Sequence, residues 1–240
     1  RGGANAVSLI NTINSITGVD LDTLVPHPKV NGKSAHGGYC GPAVKPIALN
    51  FISSLQCDEE FNLPISGIGG IETWKDAAEH ILMGASSVQV CTAVMKHGFR
   101  IVQDMITGLS AWMDQKGFKT IGDFSGLSAQ KLTHWGDLDL NHRVIANINP
   151  DKCIGCQVCY IACEDGAHQA ILRQEGTRVP KINEECCVGC NLCSLVCPVD
   201  ECITMVVQNP NEPARSHNEY LAAGEEPIGN YPRHSAKIPH

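Results

Sequence analysis

The chain lacks any run of about eighteen apolar residues, so nothing in it reads as a membrane-spanning helix. It also lacks a basic excess. Lys and Arg number 18 against 25 Asp and Glu, for a net charge of −7. Phosphate-rich partners want a basic face, which excludes nucleic acid as the main partner. There is no signal-peptide pattern and no initiator methionine. The sequence opens on Arg1 at what reads as the approach to a strand, and a longer protein with further residues before Arg1 is expected. Charged residues make up 18% and hydrophobic ones 43%, a balance that suits a packed core rather than disorder. At 240 residues, either one large domain or two ordinary ones would fit.

Cysteine is what the chain does have. Of 13 cysteines, ten lie between positions 153 and 202. Cys153, Cys156, Cys159 and Cys163 follow a C-x2-C-x2-C-x3-C spacing, and Cys187, Cys190, Cys193 and Cys197 repeat it 34 residues on. That doubled spacing signals a pair of cubane iron–sulfur clusters, in which the fourth cysteine of each run serves the other cluster. One set is then Cys153, Cys156, Cys159 and Cys197; the other is Cys187, Cys190, Cys193 and Cys163. A disulfide scaffold is the plainer alternative, but the spacing is that of cluster ligands. A reducing, cytoplasmic setting follows from it. Cys186 breaks the spacing and is left out, and Cys202 reads as a small packed residue.

The first half alternates strand and helix. Residues 4–10, 63–66 and 87–90 read as strands, and 43–55, 73–83 and 99–113 as helices, with Thr73 as an N-cap. Val44, Ile47, Ala48 and Phe51 are the expected buried face of the first helix. Ile101, Met105, Ile106 and Leu109 are that of the third. A long loop rich in Gly, Pro, His and Ser separates the first strand from the first helix. Repeated right-handed βα units make the fold class α/β, and three of them fit the C-terminal part of a (β/α)8 TIM barrel, with five strands expected before Arg1. The strands end in Asn11-Thr12, Gly69-Gly70 and Cys91-Thr92. In such barrels that end carries the chemistry, and its last loops often bind a phosphate. Glycines at 69 and 70 admit close backbone approach to an anion, and Thr92 adds a hydroxyl. A tight strand-to-helix turn is the plainer reading of Gly-x-Gly-Gly alone.

These residues carry a resemblance. Asn11-Thr12, the run from His36 to Pro46, Gly67 to Ile71 and Val88 to Ala93, followed by a two-cluster module, resemble the dihydropyrimidine dehydrogenases. The likeness is to the FMN and iron–sulfur catalytic subunits of the bacterial NAD-dependent enzymes, and it reaches to about residue 206. It implies an FMN-dependent barrel that reduces the 5,6 double bond of uracil or thymine in pyrimidine catabolism. It implies Asn11 and Thr12 as substrate-binding residues, and Gly41, Gly69, Gly70, Cys91 and Thr92 as FMN-binding ones. The family's proton-donating cysteine lies upstream of Asn11, so no catalytic residue is expected in this chain, which would be inactive alone. NAD(H) and FAD are implied on a partner subunit in a hetero-oligomer; no nucleotide-binding fingerprint occurs here. Cys163 is followed by Glu164, where simple ferredoxins have proline. The family shares such a change.

The expected organisation is barrel over 1–115, packed linker over 116–149, a small α+β ferredoxin-like domain with two [4Fe-4S] clusters over 150–207, and an extended tail over 208–240. Residues 203–207 are expected to pair with 170–173. Lys45 could cap or position the loop, with a solvated helix-start residue the plainer reading; Cys40 could act as a general acid, with a small loop residue the plainer reading. Two other functions fit less well: a dihydroorotate dehydrogenase-like flavoenzyme with a fused ferredoxin, and a non-catalytic electron-transfer subunit.

Overall fold

The computed structural model describes residues 2–166 and 168–225. They form two compact units that divide between Leu132 and Thr133.

The first unit opens with β1 (Val7–Leu9) and then a set of short strands: β2 (Ile13–Ser15), β3 (Val19–Asp20), β4 (Val25–Pro26), β5 (Lys29–Val30), β6 (Lys33–Ser34) and β7 (Gly37–Tyr39). The expected long loop is therefore a set of antiparallel ribbons, β2 with β7, β3 with β4 and β5 with β6. The β5–β6 turn is Asn31-Gly32, both at positive φ, the signature of a tight hairpin. Next come α1 (Lys45–Gln56), β8 (Ile65–Ile68), α2 (Trp74–Leu82), β9 (Ser87–Gln89), α3 (Thr92–His97) and α4 (Arg100–Lys116). Strands β1, β8 and β9 make one parallel sheet in that order, with Ser8, Ser66 and Ser87 in register across it.

Ile52 and Ile65 are fully buried against Ala85, Val7 and Leu9. The buried stripe of α1 runs through Ala48 and Ile52, four residues apart, whereas the expected Ile47 and Phe51 are exposed. On α4, Met105 is buried and Ile106 exposed. Trp74 lies across α4 at Gly108, where a Cβ would collide with the indole. Trp112 meets Phe124 edge-on at 5.2 Å, and Phe118 stacks on Phe124 at 5.2 Å. The stretch after α4 closes the end of α2: Gly126 N donates to Ile81 O (2.9 Å) and Ser128 N to Leu82 O (3.0 Å).

The second unit holds β10 (Val144–Ile148), α5 (Val158–Glu164), β11 (Ile171–Gln174), β12 (Thr177–Ile182), α6 (Leu192–Leu195), β13 (Ile203–Val207) and α7 (His217–Ala222). Residues 116–149 thus serve both units. The part up to Leu132 packs with the first, while β10 is a strand of the second. The expected pairing of 203–207 with 170–173 is replaced by two other ribbons, β13 with β10 and β11 with β12. The second is a hairpin closed by Glu175-Gly176, and so short a loop is cheap to close. Within the expected tail, Ser216 and Glu219 form a capping box that starts α7, whose Tyr220 is buried. Residues 226–240 of that tail lie outside the described residues. Among the described residues no helix is long and apolar enough to cross a membrane.

Candidate functional site

Parallel strands end on one side of their sheet, and here those ends make a cavity of about 420 Å³. Asn11, Thr12, Gly41, Gly69, Gly70, Cys91 and Thr92 all line it, so the structure brings together every position singled out for a flavin or its substrate. Cys40 joins them. Asn11 Oδ1 accepts from Thr12 N (2.7 Å) and Thr12 Oγ1 (3.4 Å), which leaves the Asn11 amide N–H donors uncommitted.

The glycine turns are shaped by lack of room. Gly70 has φ +73°, and a Cβ there would lie 2.8 Å from Lys45 N and 2.9 Å from the Gly41 carbonyl oxygen. A Cβ on Gly69 would lie 2.9 Å from Ala48 Cβ. The Gly41 and Gly69-Gly70 turns therefore touch, and only glycine lets them. Both turns line the cavity, where glycine backbone suits an anion such as a flavin phosphate, so the residues present fit that group.

Helix α2 holds the second turn in place. Thr73 and Asp76 form a capping box, with Thr73 N donating to Asp76 Oδ2 (2.7 Å) and Asp76 N to Thr73 Oγ1 (3.4 Å), so the N-cap expectation is met. Beneath it lies His80, fully buried, its Nδ1 2.8 Å from the Asp76 carbonyl oxygen. Burial pulls the His80 pKa below its ordinary value, against the opposing pull of nearby carbonyls and of Asp76 and Glu79.

The cysteines fall into two cavities in the second unit. Cys153, Cys156, Cys159 and Cys197 line one; Cys163, Cys187, Cys190 and Cys193 line the other. The cavities group these eight cysteines as the spacing predicts, and Cys202 lines the first cavity as well. Both runs fold alike. Gly155 and Gln157 in the first, and Gly189 and Asn191 in the second, all have positive φ. A Cβ on Gly155 would lie 2.5 Å from Arg178 Cβ of β12, and one on Gly189 would collide with the Val144 carbonyl of β10. Each ribbon thus lies across one cysteine loop.

Ala170 N donates to Cys163 Sγ (3.2 Å) and Ala146 N to Cys187 Sγ (3.4 Å), the kind of contact that offsets charge on cluster sulfur. Burial pushes the Cys193 thiol up to about 11, and the Cys159 thiol upward as well, helped in each case by neighbouring cysteines. Cys159, Cys187 and Cys193 are buried, Cys156 and Cys190 exposed, and thiols gathered in fours in this way suit a soft metal that takes the place of their protons. Among the described residues no three or more His, Cys, Asp or Glu side chains converge to hold a single metal ion, and the two sets of cysteines line one cavity each. Cys186 lies outside the set and its Sγ accepts from Asn183 Nδ2 (3.2 Å). Cys202 is buried beside the first set, next to Cys153 and Cys197.

Comparison with known proteins bears on both units. Residues 2–113 match the family model for dihydroorotate dehydrogenase, and residues 146–205 that for a 4Fe-4S dicluster domain. The NAD-dependent dihydropyrimidine dehydrogenase subunit PreA of Escherichia coli is 50% identical over 181 residues, which is 75% of this chain and 44% of that protein. The chloroplastic dihydropyrimidine dehydrogenase (NADP(+)) of Arabidopsis thaliana is 44% identical over 142 residues, 58% of this chain and 33% of that one. The catalytic subunit of dihydroorotate dehydrogenase B (NAD(+)) of Pyrococcus horikoshii is 40% identical over 128 residues, 53% of this chain and 40% of its own. The chain spans less than half the length of these curated relatives.

Proposed function

We propose that this relative of the dihydropyrimidine dehydrogenase subunits is the flavin- and cluster-bearing part of a cytoplasmic pyrimidine-reducing oxidoreductase. Its first unit is read as part of a (β/α)8 barrel, and residues 150–207 as the ferredoxin-like domain. In this reading Gly41, Gly69, Gly70, Cys91 and Thr92 hold FMN, with its phosphate against the glycine turns. Asn11 and Thr12 hold the pyrimidine, and the Asn11 amide N–H groups donate to a ring carbonyl of uracil or thymine. Bound in these sites, FMN supplies hydride chemistry at the 5,6 double bond, and two [4Fe-4S] clusters supply one-electron transfer to it. The eight cysteines of the two runs hold the clusters. A partner subunit carrying FAD and NAD(H) provides the electrons, in a hetero-oligomer.

One observation carries the choice of substrate class. The match to the Escherichia coli dihydropyrimidine dehydrogenase subunit covers 181 residues, more than the first unit contains, so it extends into the cysteine-rich unit. The match to the Pyrococcus horikoshii dihydroorotate enzyme covers 128, no longer than the first unit alone. A dihydroorotate-type reading keeps support from the family model over residues 2–113.

Anaerobic purification of the full-length protein, with assay of metal and flavin, tests the proposal. About eight iron atoms and eight sulfides per chain are expected, two four-iron cubanes, with one FMN. A protein that holds the iron but takes up no flavin would be an electron-transfer subunit instead.

A further inference from the structure

Charge grips the flavin cradle from outside. Asp76 accepts from Glu72 N (3.1 Å), Thr73 N (2.7 Å) and Thr73 Oγ1 (2.8 Å) through Oδ2, and from Lys45 Nζ (2.6 Å) through Oδ1. Lys45 also pairs with Glu79 Oε2 at 2.8 Å. The Lys45 side chain is only 26% exposed and that of Asp76 14%, so this is no solvated helix-start residue. Burial alone would raise the Asp76 pKa; Lys45, Thr73 and the backbone donors outweigh it and hold the carboxyl below its ordinary range. The Lys45 ammonium is correspondingly stabilised, by Asp76 first and Glu79 second.

Lys45 meets both glycine turns. It follows Gly41 by four residues, and its N and Cβ pack where a Gly70 side chain would be. Its head group holds the residue that caps α2, and through that cap the turn leading from Gly70. Yet Lys45 does not line the cavity. A basic side chain that sits behind an anion site without facing it acts through the backbone between them.

We propose that Lys45 is a positioning residue for the flavin site: through Asp76 it locks the Gly69-Gly70 turn against the Gly41 turn, so that the cradle stands preformed before its ligand arrives. The inference rests on the flavin reading above. Preorganisation of this kind is expressed in affinity, because a cradle that must be ordered on binding costs part of the binding free energy.

The sign of one substitution separates positioning from simple charge attraction. If Lys45 acted only as a distant positive charge, Asp76→Asn would free that charge and tighten FMN binding. If Lys45 acts through Asp76, Asp76→Asn loosens the cradle and weakens it, although an Asn oxygen can still accept from Thr73 N in the capping box. FMN titration of the full-length apo-protein by flavin fluorescence reads this directly.

Lys45→Met and Asp76→Asn are each expected to raise the Kd about tenfold or more, since each breaks the half-buried Lys45–Asp76 ion pair, leaving Lys45 only the more exposed Glu79 or Asp76 only its uncharged donors. Lys45→Arg should restore affinity to within about threefold of wild type, and Glu79→Gln should change it less than about twofold, because Glu79 is more exposed and holds no cradle backbone. Near-UV circular dichroism from Trp74 and Trp112, which lie 6.4 Å apart between α2 and α4, reports that each variant has folded. Should Lys45→Met fail to fold, Asp76→Asn and Lys45→Arg still decide. Binding by Asp76→Asn as tight as wild type or tighter would overturn the inference, as would unaltered binding by a folded Lys45→Met. Wild-type protein that binds no FMN would instead sink the flavin reading itself.

Discussion

Gly70 shows how little separates a cradle from a clash. A single methyl group there would lie 2.8 Å from Lys45 N, at φ +73°. Gly70→Ala should therefore cost about 1–3 kcal/mol of stability in the first unit, through backbone strain and overpacking together. Urea denaturation of the apo-protein, followed by tryptophan fluorescence, measures it. The cysteines make a sharper case. Because Cys197 faces the cavity of the first run, Cys197→Ser should remove the cluster held by Cys153, Cys156 and Cys159 and spare the other. Cys163→Ser should do the reverse. Iron analysis with low-temperature electron paramagnetic resonance would show about half the iron and a different surviving signal in each variant; identical survivors would contradict the crossed sets. These cysteines are legible in the sequence because their spacing is local. The pairing of Lys45 with Asp76 is not, because the two lie 31 residues apart and nothing in the intervening pattern links them.

At the level of elements, legibility follows the length of the signal. The parallel strands, helices α1, α2 and α4 and the Thr73 cap follow from apolar runs and one local capping pattern, whereas the short α3, outside the expected 99–113, does not. The ribbons between β1 and α1 do not, since strands of two or three residues carry no periodicity; Asn31-Gly32 is the turn signal that betrays one of them. Likewise Ser216-His217-Asn218-Glu219 is a capping pattern hidden in a proline-rich stretch. The buried faces of α1 and α4 turn on which side the sheet lies, which periodicity alone leaves open.

Buried His80 gives α2 a pH dependence. Its folded pKa is depressed, so near its ordinary value of 6.5 the unfolded chain binds a proton that the folded one refuses. Stability of the first unit should be full above that value and fall as pH drops through it. His80→Gln should flatten the slope between about pH 7.5 and pH 5.5, as read from urea midpoints. Asp76, with its lowered carboxyl, contributes at these pH values and loses its share only in the acid range below its ordinary 3.8. An unchanged slope in the variant would assign the titration elsewhere.

Taken whole, the molecule joins two chemistries in separate units. The first sets the ends of three parallel strands around one cavity; the second folds two copies of one cysteine loop around two more. Among the described residues β1 and β9 each pair on one side only, the sheet being three strands wide. The sequence discloses both units through local motifs, while the division inside residues 116–149 depends on which stretch packs where, a tertiary matter. Reduction of a pyrimidine base by the flavin site is the central claim. The direct measurement is to reduce the full-length protein anaerobically with dithionite, remove the excess, and mix it with uracil, thymine or orotate while following the flavin absorbance. Uracil or thymine should reoxidise the flavin and yield the 5,6-dihydro base, with orotate inert; reoxidation by orotate and by neither uracil nor thymine would contradict the account.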